Sequence, residues 1–214
     1  MGLFAEQPAV NLRSASDVAL LHQLQCKVCP LNKTLGGKMA PTGSERPLVY
    51  VLGEAPGATE IEEQEQFVGA SGEILRASIP RKFKDRIRFN NTVRSRPPGN
   101  ATPERIETEC CRPSVVADIE GAKPTAIFGF GNVPLEWVAP GYGGVTLWRG
   151  RKMPVRVGSH TCWYYPMLHP AFLLHSRRKS NSSEEERMFR FDMKRAFAEV
   201  EHLPPARVHT AEEV

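Results

Sequence analysis

The chain has little that would place it in a membrane or a secreted scaffold. No apolar run approaches the length needed to cross a bilayer, and the start, MGLFAEQPAV, lacks the basic and apolar segments of a leader. Cysteine is sparse and odd in number, at 26, 29, 110, 111 and 162, so a secreted disulfide framework is not expected. Charge of either sign is nearly balanced, 28 Lys and Arg against 24 Asp and Glu. A net charge of +4 permits a polyanionic partner without requiring one. There is no internal repeat. These features predict a soluble, intracellular protein, and 214 residues suffice for one domain with a real core.

What is present is an alternation of strand and helix signals. The run Leu48–Gly57, LVYVLGEAPG, reads as a buried strand that stops at a glycine-bracketed acid, Glu54. A second strand is expected over Ile87–Val93 and a third over Thr125–Phe130. Residues 145–158 read as a hairpin, and Cys162–Leu168 as a last strand bent or placed at an edge by Pro166. Helices are expected from Ser14 or Ser16 to Leu24, from an N-cap at Ser71, and after Thr102-Pro103 through Cys110 and Cys111 with a kink or restart at Pro113. A short helix falls around Leu135–Val138. A final one starts near Ser183, with Met188, Phe191, Ala196, Phe197 and Val200 on its apolar side. Strands alternating with helices predict an α/β fold with a largely parallel sheet. Residues 1–13 and 204–214 read as flexible tails around a single domain, 14–203.

Three predicted strand ends carry polar groups, Glu54, Asn91 and His169, at the sheet edge where open α/β folds bind ligands. Taken singly, each has a plain reading: a solvated turn acid, a turn-capping Asn, a hydrogen-bonded structural His. Phe67 alone reads as core. Together they suggest a pocket.

The ordered motifs C-x-x-C-P-L at 26–31, G-E-A-P-G at 53–57, F-V-G at 67–69, N-T-V-R-S-R-P-P-G-N at 91–100, C-R-P at 111–113 and H-P-A at 169–171 give the chain a specific likeness. It resembles the uracil-DNA glycosylase superfamily, and most closely the iron-sulfur group called family 4, over most of its length. The resemblance implies a three-layer α/β/α sandwich around a short, mostly parallel sheet. It implies hydrolysis of the bond between deoxyribose and uracil, or a 5-substituted uracil, in DNA, with the nucleotide turned out of the duplex and an abasic site left. Phe67 would stack on the base, and Asn91 would offer a donor and an acceptor to its Watson–Crick edge. His169 would donate to the uracil oxygen that gains charge. Glu54 and Glu60 match acids near the sugar, with Glu54 favoured for positioning water. Phe172, Leu173 and Leu174 follow H-P-A where the family places a loop that fills the gap left by the base. Arg177, Arg178 and Lys179 come next, as phosphate contacts or as a solvated basic loop. The partner implied is uracil-containing DNA, acted on by a monomer in the cytoplasm or nucleoid of a bacterial or phage-type host.

The chain departs from that family at two places. Four family cysteines hold a [4Fe–4S] cluster; Cys26, Cys29 and Cys111 fall on ligand positions, but Ser95 replaces the third. The alternatives are that Cys110 fills the gap, that a non-cysteine ligand does, or that the cysteines hold zinc or nothing. Cys162 reads as a buried thiol. In Ile61–Gln66, IEEQEQ, acid stands where the family carries an aspartate and then Gly-Arg-Pro. That departure leaves open a changed base, a changed substrate, or a binding member without catalysis; a free-nucleoside hydrolase is a third reading. No Arg-rich insertion of the uracil-crosslinking branch is present.

Overall fold

The structure, a computed structural model, describes residues 15–34, 36–176 and 182–208. Its sheet has six strands: β1 (Thr42–Gly43), β2 (Val49–Gly53), β3 (Ile87–Asn91), β4 (Ala126–Phe130), β5 (Met153–Val157) and β6 (His160–Met167), in the order β1-β3-β2-β4-β6-β5. The inner four are parallel, and the two edges run antiparallel to them. Every residue of β2 and β4 is buried, as expected of parallel strands covered on both faces. The helices are α1 (Ala15–Leu24), α2 (Ala58–Glu63), α3 (Ala70–Ala77), α4 (Arg105–Ala122), α5 (Asn132–Val138), α6 (Val145–Trp148), α7 (Pro170–Ser176) and α8 (Ser182–Glu199).

From β2 the chain steps to β3 on one side, then returns past β2 to β4 and β6 on the other. The reversal puts the carboxyl ends of β3, β2, β4 and β6 around a crevice, which is where such sheets bind ligands.

Several local expectations are corrected. Residues 145–158 are not a hairpin: α6 comes first, and the hairpin joins β5 to β6. Pro166 lies inside β6, which is an inner strand. Trp163 donates its N–H to Thr125 of the β4 side, so alternate residues, Pro166 included, face the other way. On that side β5 pairing ends at Tyr164, so the missing proline N–H breaks no rung. Pro113 neither breaks nor restarts α4, which continues for 18 residues with Val115, Ile119 and Ala122 buried. That burial offsets one lost helical hydrogen bond. The helix begins at Arg105 because Glu107 reaches back to the Glu104 N–H at 2.8 Å. The N-cap of α3 is Gly69 and not Ser71. On α8 the buried apolar set is Phe189, Met193, Ala196 and Phe197, joined by Val200 just beyond its end, while Phe191 is 61% exposed. The chain after the last helix is tied at Pro204, whose carbonyl accepts from the Trp163 indole at 2.8 Å.

Candidate active site

The cavity at the carboxyl edge has a volume of about 800 Å³ and is lined by Glu54, Glu60, Phe67, Asn91 and His169. The structure therefore brings together all five residues expected there, Glu54, Glu60 and Phe67 from the chain after β2, Asn91 from the end of β3 and His169 from the end of β6.

Glu54 follows β2 directly. Its carbonyl accepts from the Thr92 hydroxyl at 2.7 Å and the Val93 N–H at 3.2 Å, which fixes the turn against the end of β3. Burial pushes its carboxyl above the usual glutamate range, partly opposed by a hydrogen bond from Thr102. A half-buried carboxylate with a single side-chain partner keeps acceptor capacity for water or a developing cation.

Glu60 is placed differently. Its two oxygens accept from the Gly57 N–H at 3.1 Å and the Gly69 N–H at 2.9 Å. The side chain thus ties both ends of the segment containing α2, and its lone pairs serve the backbone before any substrate. Of the acidic run that follows, Glu62 and Glu63 do not line the cavity. Glu65 pairs with Arg76 at 2.5 Å and accepts from Thr42 at 3.0 Å.

Phe67 sits in the left-handed region, φ 57°, a conformation costly for an aromatic residue. Arg76 holds it there: its guanidinium donates to the Phe67 carbonyl at 2.9 Å and the Gln66 carbonyl at 2.6 Å while lying 4.4 Å over the Phe89 ring. Gly53 makes room on the other side. A Cβ there would lie 2.2 Å from Asn91 Oδ1 and 2.5 Å from Phe67 Cζ, so only glycine lets the amide and the ring share the strand end.

Asn91 ends β3, paired with Gly53. Its backbone N–H donates to Asn90 Oδ1 at 2.9 Å, and Asn90 in turn donates to the Tyr50 hydroxyl at 2.8 Å. Tyr50 donates to Asp118 at 2.7 Å, and Asp118 is gripped by Arg88 through two nitrogens. This buried chain anchors the strand end to α4. The Asn91 side chain donates from Nδ2 to Gln66 Oε1 at 2.8 Å. Gln66 is fully buried and was missed from sequence, where nothing distinguishes it from the polar residues around it.

His169 follows β6. The Ala171 N–H donates to its Nδ1 at 3.1 Å, which leaves the ring proton on Nε2 as a donor. Burial lowers its pKa to about 4, so the imidazole is neutral near neutrality. At Gly131, φ 96°, an added Cβ would lie 3.3 Å from the His169 Cβ, in a backbone conformation that a side chain would also strain. The cavity thus offers a ring, a fixed amide, an N–H donor and a carboxylate, a set able to read a planar base and stabilise charge on both sides of a breaking bond.

Of the three apolar residues after His169, Phe172 is 45% exposed and lines the cavity with Leu174. Leu173 does not belong to that surface. It faces the opposite side of α7 and is buried in the main core. Arg177, Arg178 and Lys179 lie outside the described residues. Leu147, 69% exposed on α6 beside the cavity residues Gly144–Thr146, is an apolar group at this rim that the sequence did not single out.

Away from the cavity, Cys29, Cys110 and Cys111 share a second apolar cluster with Leu21, Leu31 and Val93. Lys38 Nζ lies 3.7 Å from Cys26 Sγ. The Cys110 thiol is hydrogen-bonded with that of Cys29 and is pushed up to about 12, chiefly by burial; burial raises Cys29 and Cys111 as well. Among the described residues no three His, Cys, Asp or Glu side chains converge closely enough for a single metal ion. The donor set, cysteine sulfurs from α4 and the turns after α1, is of the soft kind that a cluster of iron and sulfide uses. Cys162 is a buried thiol on β6, also pushed up to about 12 by burial.

Comparison with known proteins agrees with the geometry. Residues 40–192 match the model of the uracil DNA glycosylase superfamily. A type-4 uracil-DNA glycosylase of Pyrobaculum aerophilum is 38% identical over 121 residues, 55% of this chain and 62% of that protein, so less than two thirds of its length is spanned. One of Thermotoga maritima is 29% identical over 177 residues, covering 80% of this chain and 88% of the other. One of Sulfurisphaera tokodaii is 26% identical over 170 residues, covering 76% and 77%.

Proposed function

This chain belongs to the uracil DNA glycosylase superfamily, and on that premise we propose that it hydrolyses the N-glycosidic bond of uracil, or of a 5-substituted uracil, in DNA and leaves an abasic site. The observation that carries the reading is His169: a half-buried, neutral imidazole whose Nδ1 is occupied by the Ala171 N–H, so that Nε2–H is held as a donor in the cavity that also contains Glu54 and Asn91.

The bond cannot be reached within the stack, so the nucleotide must turn out into the cavity. Phe67 then covers the face of the pyrimidine, and Asn91 meets its O4 and N3–H. As the bond lengthens, negative charge gathers on the base, and Nε2–H of His169 stabilises it at O2 without a proton having to be transferred. The sugar becomes cationic. The Glu54 carboxylate faces that charge and orients the water that adds to it. Glu60 acts by holding the backbone at Gly57 and Gly69. Phe172 and Leu174 are the residues suited to fill the gap in the duplex, with Arg177, Arg178 and Lys179 as phosphate contacts.

A [4Fe–4S] cluster would be held by Cys26, Cys29 and Cys111, with Cys110 or Ser95 completing the set. When bound, it supplies a cross-link between the N-terminal helix and α4. Visible absorbance with iron and zinc analysis tests this. Among the described residues no helix is long and apolar enough to cross a membrane, and the proposed substrate places the protein with the DNA, acting as a monomer.

Alkali treatment of a uracil-containing oligonucleotide after incubation with the protein should give strand cleavage at the uracil. A folded protein that binds such DNA and yields no abasic site would overturn the hydrolytic reading in favour of a binding member of the same fold.

A further inference from the structure

Resting on the reading of Asn91 as the residue that meets the base, we propose that Gln66 is the specificity-determining residue behind it: it fixes which way the Asn91 amide faces and so sets the preference for uracil over cytosine. Gln66 is fully buried, does not line the cavity, and touches no substrate. It is a positioning residue.

The polarity of the arrangement follows from its far end. Gln66 Nε2 lies 3.0 Å from the Ala40 carbonyl oxygen, and Gln66 Oε1 lies 2.8 Å from Asn91 Nδ2. A backbone carbonyl only accepts, so the Gln66 nitrogen must face Ala40 and its oxygen must face Asn91. Ala40 cannot rotate to suit, because its neighbour Met39 is pinned twice to Arg94, through the Met39 N–H at 2.8 Å and the Met39 carbonyl at 2.6 Å. Asn91 therefore presents its nitrogen to Gln66. What remains for a base is one N–H of Nδ2 and the oxygen Oδ1, which lies over Gly53.

That pair matches uracil, whose O4 accepts and whose N3–H donates. Cytosine presents the reverse, an amino donor at position 4 and an acceptor at N3. An isolated asparagine could turn its amide over and accept cytosine at small cost. Here the turned amide would set Asn91 Oδ1 against Gln66 Oε1, and turning Gln66 as well would set its oxygen against the Ala40 carbonyl. Each arrangement leaves two buried acceptors facing one another. The relay thus makes the flip expensive.

The test measures base preference in binding, so that it does not depend on turnover. Affinities are determined for two duplexes that differ in one nucleotide, 2′-fluoro-2′-deoxyuridine or 2′-fluoro-2′-deoxycytidine, both resistant to glycosidic cleavage. Differences in base pairing belong to the DNA and cancel when the uracil-to-cytosine ratio of a variant is divided by that of the wild type. Gln66→Met, of similar length but without the amide, is expected to lower the ratio by about tenfold to a hundredfold in a protein that stays folded, as expected when turning the Asn91 amide no longer mispairs a buried group. Gln66→Glu, whose fully buried carboxyl takes the protonated form, keeps both contacts, its hydroxyl donating to the Ala40 carbonyl and its other oxygen accepting from Asn91, and is expected to hold the ratio within about threefold. Should Gln66→Met not fold, Gln66→Ala, which admits water, is expected to lower the ratio in the same direction. An unchanged ratio in folded Gln66→Met or Gln66→Ala overturns the proposal, and so does a wild type without preference between the duplexes. A wild type that prefers the uracil analogue, loses that preference on Gln66→Met, yet releases no uracil from ordinary DNA supports the relay and refutes the hydrolytic function alone.

Discussion

The base cavity and the cysteine corner are built on opposite strategies. Around the cavity, nearly every polar side chain is held by a backbone group or a distant side chain: Glu60 by Gly57 and Gly69, His169 by Ala171, Asn91 by Gln66. In the corner, backbone hydrogen bonds at Leu31 for Cys29 and at Arg94 for Cys111 are outweighed by burial. Cys29, Cys110 and Cys111 rest among apolar residues, and burial keeps their thiols protonated. The cavity is therefore organised before any ligand arrives, whereas the corner gains its charged form only with a cation that stabilises thiolate.

The sharpest way to break this comparison is at the cavity. His169→Ala and Glu54→Ala should each lower the rate of uracil release by about a hundredfold to a thousandfold while circular dichroism stays unchanged. A large loss of structure in either variant would mean that the cavity is not preorganised independently of these side chains. Leu173→Ala should do the reverse, costing about 2–5 kcal/mol of stability in urea unfolding, since a buried leucine is removed from the core. Phe172→Ala, exposed at the rim, should leave stability within about 1 kcal/mol and weaken binding to uracil-containing duplex.

Acid sharpens the contrast further. His169 has a folded pKa of about 4 against an ordinary value of 6.5, so the unfolded chain binds its proton first as pH falls. Its contribution to stability is complete above about pH 6.5 and declines towards pH 4, by on the order of 3 kcal/mol over that window. Unfolding of wild type against His169→Gln at pH 7 and pH 4.5 measures it; a wild type no more acid-sensitive than the variant would contradict the burial of a neutral ring. The smallest effect is expected at Cys162. Cys162→Ala should cost about 1 kcal/mol and leave iron content unchanged, while Cys29→Ala should lower it.

How much of this was legible in the sequence depended on whether a signal was local. Glu54, Asn91 and His169 could be read because each stands where an apolar run stops, and the parallel order of β3, β2, β4 and β6 then gathers such ends on one edge. Leu173 could not be separated from Phe172 and Leu174, because three adjacent apolar residues on a helix are sorted only by what packs against α7. Phe191 and Phe189 were exchanged for the same reason. Pro166 looked like an edge signal, yet the side it faces is decided by where a neighbouring strand ends. Gln66 gave no signal because its importance lies in a carbonyl 26 residues away.

The bridge made by Glu60 has one further consequence. By fastening Gly57 to Gly69 it closes the intervening stretch into a handle whose two attachment points do not depend on what lies at its outer bend. The acidic side chains of Glu62 and Glu63, at that outer bend and off the cavity wall, then add charge beside the opening while the aromatic ring and the amide behind it keep their places.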